Sequence, residues 1–87
     1  MPIYYVYILL SLKDKKFYIG FTNDLKRRLK EHNSGKNTST KLISPFQLLY
    51  YEAHLSKADA MKRERYFKTT KGKSTLRQML RDSLKTF

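Results

Sequence analysis

The chain has 87 residues, a formal net charge of +12 and no cysteine. This length allows one small domain with a single modest core, and the missing thiols exclude disulfide scaffolds, thiolate zinc sites and cysteine nucleophiles, in keeping with a reducing compartment such as the cytoplasm. The excess of lysine and arginine predicts a polyanionic partner: nucleic acid first, and an anionic membrane surface only weakly, because neither main helical segment has the broad apolar face of an interfacial helix.

The first two predicted elements form a β-hairpin. Residues 3–10 are rich in tyrosine, isoleucine and leucine, a lysine-rich turn follows, and residues 17–21 form a second apolar run. Tyr7 and Tyr18 then lie on neighbouring strands, where their two hydroxyls can meet at one point, and Gly20 leaves room for a backbone or a phosphate to approach. A single tyrosine in a strand is ordinarily a core residue, so the spacing carries this interpretation.

The next element is a basic helix that Asn23 or Asp24 can cap and that the turn at 32–35 ends. Arg28 and His32 are four residues apart and project from the same side of this helix, beside its narrow leucine stripe. An ordinary solvated basic helix is the alternative, because other lysines and arginines surround both residues. A solvated face, however, does not require an imidazole one turn after an arginine.

The second half of the chain continues with a polar, basic loop over 36–44 and a third strand over 46–52, apolar enough to be central in the sheet. Ser56 is predicted to cap a second helix, which Gly72 separates from a third over about 74–85. The order ββαβαα predicts a mixed α/β chain of the α+β class, with a small three-stranded, largely antiparallel sheet and helices packed on it.

Glu64 is the acidic residue that most needs an explanation. Its helical phase places it with Ala60 on the core-facing side of the second helix, away from the charged face that carries Arg63. An acid there requires a partner, for which Lys68 at i+4 or Arg28 from the other helix is the structural candidate. A divalent cation is the functional candidate, because Mg²⁺ is often held by one carboxylate with water and phosphate oxygens.

These residues resemble the motifs of the GIY-YIG nuclease superfamily. The first motif is matched by Tyr5-Val6-Tyr7, with tyrosine in place of the opening glycine, and the second is matched fully by Tyr18-Ile19-Gly20. The arginine of the family falls on Arg28, its frequent histidine on His32 and its metal-binding glutamate on Glu64.

The resemblance covers about residues 3–72 of a single domain spanning 1–87, and it is greatest to the short bacterial members, which are similar to the nuclease domains of the excision-repair excinuclease and of homing endonucleases. It implies a hydrolase, a metal-dependent endonuclease that cuts DNA with structure specificity or weak sequence specificity, in a setting such as DNA repair. It further implies one Mg²⁺ or Mn²⁺ ion. We also expect no small-molecule cofactor, no membrane partner, and a monomer or weak dimer.

The resemblance also assigns roles. Tyr7 would act as the general base, directly or through a water, with Arg28 and the metal favouring its phenolate. Tyr18 would bind the phosphate or the water, His32 would orient Tyr7 or relay its proton, and Glu64 would hold the metal ion. Contacts to nucleic acid are predicted at Gly20, Arg27, Lys36, Lys41 and Lys68.

Two other interpretations stay open. A non-catalytic nucleic-acid-binding module on the same fold would stack bases on its tyrosines and use the same basic surface. A structural subunit of an RNA–protein assembly would explain the charge but not the spaced constellation of tyrosine, arginine, histidine and glutamate.

Overall fold

A computed structural model describes residues 2–34 and 45–87. Within these ranges the elements are β1 Tyr4–Ser11, β2 Phe17–Thr22, α1 Leu25–Ser34, β3 Phe46–His54, α2 Lys57–Lys68, α3 Thr70–Met79 and α4 Arg81–Leu84. The predicted α+β fold and the order ββαβαα are confirmed, with one further short helix at the C-terminal end.

The sheet is antiparallel with the strand order β2-β1-β3. The prediction that the third strand is central is therefore wrong, because β1 occupies the middle and β3 an edge. The reason lies in burial: five consecutive residues of β1, Val6–Leu10, are at most 4% exposed. The edge strand β3 instead carries Glu52, His54 and a half-exposed Tyr51, which suit a strand with one unpaired side.

Alternate residues of β1 belong to two separate cores. On one face of the sheet the core joins β1 to α2 and α3 through Val6, Ile8, Leu10, Ala60, Phe67, Leu76 and Leu80. On the other face a smaller core packs α1 on the sheet through Tyr7, Leu9, Phe46, Leu25 and Leu29. Because side chains alternate along a strand, this arrangement points Tyr7 toward α1.

Side-chain caps fix where the helices begin. The Asp24 carboxylate accepts the backbone N–H of Arg27 at 3.2 Å, so of the two predicted candidates Asp24 is the residue that caps α1. The Ser56 hydroxyl accepts the backbone N–H of Asp59 at 3.2 Å, which confirms the predicted start of α2. The start of each of these two helices is thus fixed by one polar side chain next to it in the sequence.

The break between α2 and α3 falls at Thr69, and the prediction that Gly72 separates these helices is wrong. The Thr69 hydroxyl caps α3 by accepting the backbone N–H of Gly72 at 3.0 Å. Gly72 itself is buried inside α3, where a side chain would collide with the carbonyl group of Tyr66. The glycine therefore permits close packing of two helices and does not end either of them.

The segment predicted as one helix over about 74–85 is divided. The helix α3 ends at Met79, and α4 begins at Arg81 after a change of backbone direction at Leu80, whose φ is −105° and ψ 18°. Leu80 is only 7% exposed, so the chain bends there while keeping this side chain in the larger core.

Candidate active site

Tyr7 lies at the centre of a hydrogen-bonded group between β1 and α1. Its hydroxyl oxygen accepts the Nε–H of Arg28 at 3.3 Å and lies 3.1 Å from Nε2 of His32. When neutral His32 carries its proton on Nδ1, the Tyr7 hydroxyl donates to Nε2, and a continuous chain runs from Arg28 through Tyr7 to His32. The i, i+4 spacing on α1 delivers both side chains to the same phenol, as the sequence predicts.

Burial has the largest effect on the ionisation of both Tyr7 and His32. The pKa of Tyr7 is raised, first because burial disfavours the phenolate, although the hydrogen bond and charge of Arg28 act in the opposite direction. The pKa of His32 is lowered, first by burial and then by the Arg28 cation. Arg28 lowers the pKa of Tyr7, as the resemblance implies, but burial raises it by more. Neutral phenol and neutral imidazole are therefore the resting forms at pH 7.

Gly20 is paired with Tyr7 across the β1–β2 ladder, and the tyrosine ring lies over it. A Cβ atom at this position would be 2.6 Å from Cζ of Tyr7, far inside van der Waals contact. The predicted room for a backbone or a phosphate at Gly20 is therefore taken by the phenol ring. Gly20 of the second motif thus leaves the space that the ring of Tyr7, from the first motif, occupies.

Tyr18 does not join the Tyr7 hydroxyl. Its own hydroxyl donates to Oδ2 of Asp14 at 3.1 Å, and Asp14 also accepts the backbone N–H of Lys16 at 3.0 Å within the β1–β2 turn. The pKa of Tyr18 is raised by burial and by the bond to this carboxylate. The structure thus ties Tyr18 to the hairpin turn, and Asp14 is a partner that sequence reasoning missed.

Phe46 and Asn33 are two further residues of the site that sequence reasoning missed. The Phe46 ring meets His32 and Tyr18 edge-on, with centroid distances of 5.5 and 5.3 Å. The Asn33 amide grips the backbone of Phe46 by accepting its N–H at 2.6 Å and donating to its carbonyl oxygen at 3.3 Å. An asparagine at a helix end predicts a side-chain hydrogen bond, but its partner 13 residues away is visible only in the fold.

Glu64 has the structural partner that its helical phase predicts. Its carboxylate lies 3.6 Å from Nζ of Lys68, and its side chain is 18% exposed. Its negative charge contributes to the raised pKa of Tyr7, so Glu64 acts electrostatically on the same site although α2 packs on the other face of the sheet.

The donor set around Glu64 suits a weakly chelated hard cation. Within residues 2–34 and 45–87 there is no cluster of three or more histidine, aspartate or glutamate side chains that could enclose a metal. Mg²⁺ keeps several of its waters and is commonly bound by one or two carboxylates plus substrate phosphates. A single carboxylate that is 18% exposed fits that behaviour and does not fit a tightly enclosed structural metal.

A second polar network joins β3 to α2. The Glu52 carboxylate accepts two hydrogen bonds from Arg63, at 2.9 and 3.0 Å, and one from the Tyr50 hydroxyl at 2.9 Å. The guanidinium of Arg63 also lies 4.3 Å from the centroid of the Phe67 ring, so this residue of the charged face, 37% exposed, covers part of the larger core as well. Glu52 is the one acidic residue in the largely apolar strand β3. Because a partly buried carboxylate requires a cationic or hydrogen-bonding partner, the sequence alone could have predicted such a partner for Glu52.

The predicted nucleic-acid contacts differ in their accessibility. Arg27 is 65% exposed beside Asp24 at 3.8 Å, whereas Lys68 is 55% exposed and paired with Glu64. Lys36 and Lys41 lie outside the described residues. None of the helices that the structure describes has the length and apolar character required to cross a bilayer.

Comparison with known proteins gives matches over most of this chain. Residues 3–78 match the family described as the GIY-YIG catalytic domain. A UPF0213 protein of Streptococcus pyogenes serotype M5 (strain Manfredo) is 46% identical over 71 residues, which is 80% of this chain and 76% of that protein. The solution NMR structure of a UPF0213 protein from Bacillus halodurans is 39% identical with a TM-score of 0.56, covering 88% of this chain and 84% of that one. The chain therefore belongs to the GIY-YIG family of nuclease domains, as its two tyrosine motifs predict.

Proposed function

We propose that the protein is a metal-dependent endonuclease that hydrolyses phosphodiester bonds in DNA, with structure specificity or weak sequence specificity. Membership in a nuclease family gives nucleic acid as the substrate class. The observation that carries the proposal is the chain of hydrogen bonds from Arg28 through Tyr7 to His32. It supplies a phosphate-binding cation and a route for a proton in one place.

Tyr7 and His32 act together as the general base. Because burial raises the pKa of Tyr7, the phenol is protonated at rest and cannot serve as a free phenolate. As a water oxygen forms its bond to phosphorus, the bond to the 3′ oxygen breaks and the leaving oxygen takes up a proton from solvent. The proton of the attacking water passes to Tyr7. The phenolic proton moves at the same time to Nε2 of His32, which burial keeps neutral and able to accept it.

Arg28 is placed to bind the phosphate while it holds Tyr7. Its Nε–H donates to the phenol, its Nη1 lies 3.4 Å from Glu31, and its side chain remains 38% exposed. The exposed part of the guanidinium can donate to a phosphoryl oxygen as negative charge develops there. A well-placed donor of this kind contributes about 3 kcal/mol of transition-state stabilisation.

Glu64 is the residue that would hold one divalent ion, Mg²⁺ or Mn²⁺, in exchange for its ion pair with Lys68. When bound, such an ion supplies charge neutralisation at the phosphate and at the leaving 3′ oxygen.

A cleavage assay with a charge-matched control tests this proposal. Wild type, Glu64→Gln and Asp82→Asn are incubated with single-stranded, nicked and branched DNA in Mg²⁺, in Mn²⁺ and in a chelator. Asp82→Asn removes one negative charge on α4, where the side chain is 96% exposed, so it controls for net charge. We expect cutting by wild type and Asp82→Asn in the presence of metal, and a loss of at least ~100-fold in Glu64→Gln.

Retained DNA binding by Glu64→Gln would show that the loss is one of chemistry. The proposal fails if wild type cuts none of these substrates with either metal, or if Glu64→Gln cuts as fast as Asp82→Asn. In the first case, retained affinity for DNA would favour the non-catalytic binding module.

A further inference from the structure

A recess lies beside α1, on the face of the sheet that also carries Tyr7. We name it the tyrosine recess; it has a volume of about 490 Å³ and is lined mainly by Tyr5, Tyr51, Leu48, Leu25, Leu29 and Lys26. Tyr5 and Tyr51 meet edge-on, with ring centroids 5.8 Å apart and an angle of 68° between their planes. Tyr51 is 50% exposed, so much of its ring remains open to a ligand.

The recess is next to the Tyr7 site but on the other flank of α1. Lys26 and Arg28 are two positions apart on this helix, which places their side chains about 160° apart around its axis. Tyr51 is paired directly with Tyr7 in the β1–β3 ladder, and Tyr5 lies two residues before Tyr7 on the same face. A DNA strand whose scissile phosphate lies at Arg28 can therefore pass around the N-terminal end of α1 and place a neighbouring nucleotide in the recess.

We propose that the tyrosine recess binds an unpaired base of single-stranded DNA, stacked on Tyr51, with Lys26 contacting the adjoining phosphate. Aromatic side chains in a positively charged groove are the usual means by which proteins hold single strands, because every base has a π face. A base in a duplex is stacked on its neighbours and cannot enter, so the recess selects single strands or junctions with an unpaired nucleotide beside the cleavage point. This selection of the cleaved strand rests on the proposed nuclease function.

Charge and size favour a nucleotide over a protein in this recess. The net charge of +12 repels a second copy of the chain and attracts a polyanion. Asp24, which also lines the recess, lies 3.8 Å from Arg27, so its charge is already compensated beside Lys26. A stable protein interface buries roughly 800 Å² on each partner, whereas the recess is a small concave opening of the kind that takes one ligand group.

Binding without metal separates this proposal from catalysis. Fluorescence anisotropy in a chelator measures the affinity of the full chain for a labelled single-stranded 15-mer and for the blunt duplex of the same sequence. The variants are Tyr51→Ala, Tyr51→Phe and Lys26→Gln, and Phe87→Ala serves as the matched control because Phe87 is a 45% exposed aromatic residue far along the chain. Each variant is first checked by thermal melting.

The expected pattern distinguishes stacking from charge. Tyr51→Ala should weaken single-strand binding about 10-fold without changing the salt dependence, and Tyr51→Phe and Phe87→Ala should bind like wild type. Lys26→Gln should reduce the salt slope by about one phosphate contact, since each neutralised phosphate contributes one counterion. Duplex affinity should be unchanged by Tyr51→Ala.

The proposal is overturned if Tyr51→Ala binds the single strand like wild type, or if it weakens single strand and duplex equally. A change in sedimentation of Tyr51→Ala relative to wild type would assign the recess to protein association and also overturn it. If single-strand binding depends on Tyr51 but wild type cuts no DNA with metal, the recess stands and the nuclease proposal fails.

Discussion

The Tyr7 hydroxyl joins a guanidinium to an imidazole, and this single atom decides how the site can work. Arg28 donates to it and His32 lies 3.1 Å from it, while burial raises the pKa of the phenol and lowers that of the imidazole. The spacing of these residues in the sequence was enough to predict that they converge. The resting ionisation was not predictable, because it depends on how completely α1 and Phe46 cover the ring.

The acid limb of the pH–rate profile should report His32. Its pKa is lowered from the ordinary value of 6.5, so the neutral form is complete above 6.5 and is lost as the pH falls through the lower value of the folded protein. Single-turnover cleavage should be level near pH 7 and decline only below about pH 6.5. His32→Gln should be slower and lack this limb. A wild-type decline that persists unchanged in His32→Gln would assign the titration to another group.

The lowered pKa of His32 also makes the folded protein less stable as the pH falls. Because the unfolded chain binds a proton on His32 more readily than the folded chain, the contribution of this residue to the free energy of unfolding is present above 6.5 and decreases at lower pH. Urea unfolding at pH 7.5 and pH 5 should show a smaller loss of stability in His32→Gln than in wild type.

Gly20→Ala should damage the site through Tyr7. The new methyl would lie 2.6 Å from Cζ of Tyr7, so the ring must move away from Arg28 and His32. We expect a loss of about 1–3 kcal/mol in the free energy of unfolding, as for other overpacked sites, together with loss of cleavage. A double-mutant cycle with Tyr7→Leu is the check, because removal of the phenol should relieve most of the cost. Additive losses would contradict the collision.

At the scale of elements, the site depends on how α1 is fastened to β3. The Asn33 amide holds both backbone polar groups of Phe46, and Phe46 in turn packs against His32 and Tyr18. The helix that carries Arg28 and His32 is thereby fixed to an edge strand that contributes no proposed catalytic group.

Asn33→Ala should therefore reduce catalysis more than affinity. Loss of the two hydrogen bonds leaves Phe46 backbone groups unpaired, which costs about 1–3 kcal/mol of stability. Displacement of His32 by a fraction of an ångström should slow single-turnover cleavage by about 10- to 100-fold. Ser34→Ala, at the neighbouring exposed position, is the control. Equal rates for the two variants at a temperature where both are folded would show that the clamp does not position the site.

The elements also show where local pattern is informative. Helical phase found Glu64 and spacing found Arg28 and His32, because both depend on the regular repeat of a single helix. The apolar residues of β3 predict a central strand, but β3 is at an edge, because apolar character does not show how many strands pair with it. A glycine in a sequence can mark either the end of a helix or a close approach of two helices, and at Gly72 the structure has the close approach.

For the whole molecule, the charge of +12 makes the association with nucleic acid a largely electrostatic event. Lysine and arginine are concentrated outside the sheet, with 10 of the 19 after residue 55. The proposed site lies on the other face of the sheet, between β1 and α1, and α1 carries four basic residues of its own, Lys26, Arg27, Arg28 and Lys30. The positive field at the site therefore comes first from α1.

Affinity for single-stranded DNA should fall steeply with salt. Four contacted phosphates predict a decrease of about 50-fold between 50 and 200 mM salt. Arg27→Gln should reduce the slope because Arg27 is exposed on α1, the helix of the site. Lys85→Gln should leave it unchanged because Lys85 follows α4, whose Leu84 packs on the core of the opposite sheet face. Titration by anisotropy in a chelator measures both. Equal slopes for the two variants would mean that the binding surface does not include the start of α1.

The most direct test of the account is the single-turnover cleavage rate of Tyr7→Phe with excess enzyme and Mg²⁺. This variant keeps the ring over Gly20 and removes only the hydroxyl that joins Arg28 to His32. We predict unchanged DNA affinity, a loss of about 1 kcal/mol in the free energy of unfolding because Arg28 and His32 each lose one hydrogen bond, and a rate reduced by at least ~100-fold at a temperature where the variant is folded. A Tyr7→Phe protein that cleaves at the wild-type rate would contradict the assignment of Tyr7 as the group through which the attacking water loses its proton.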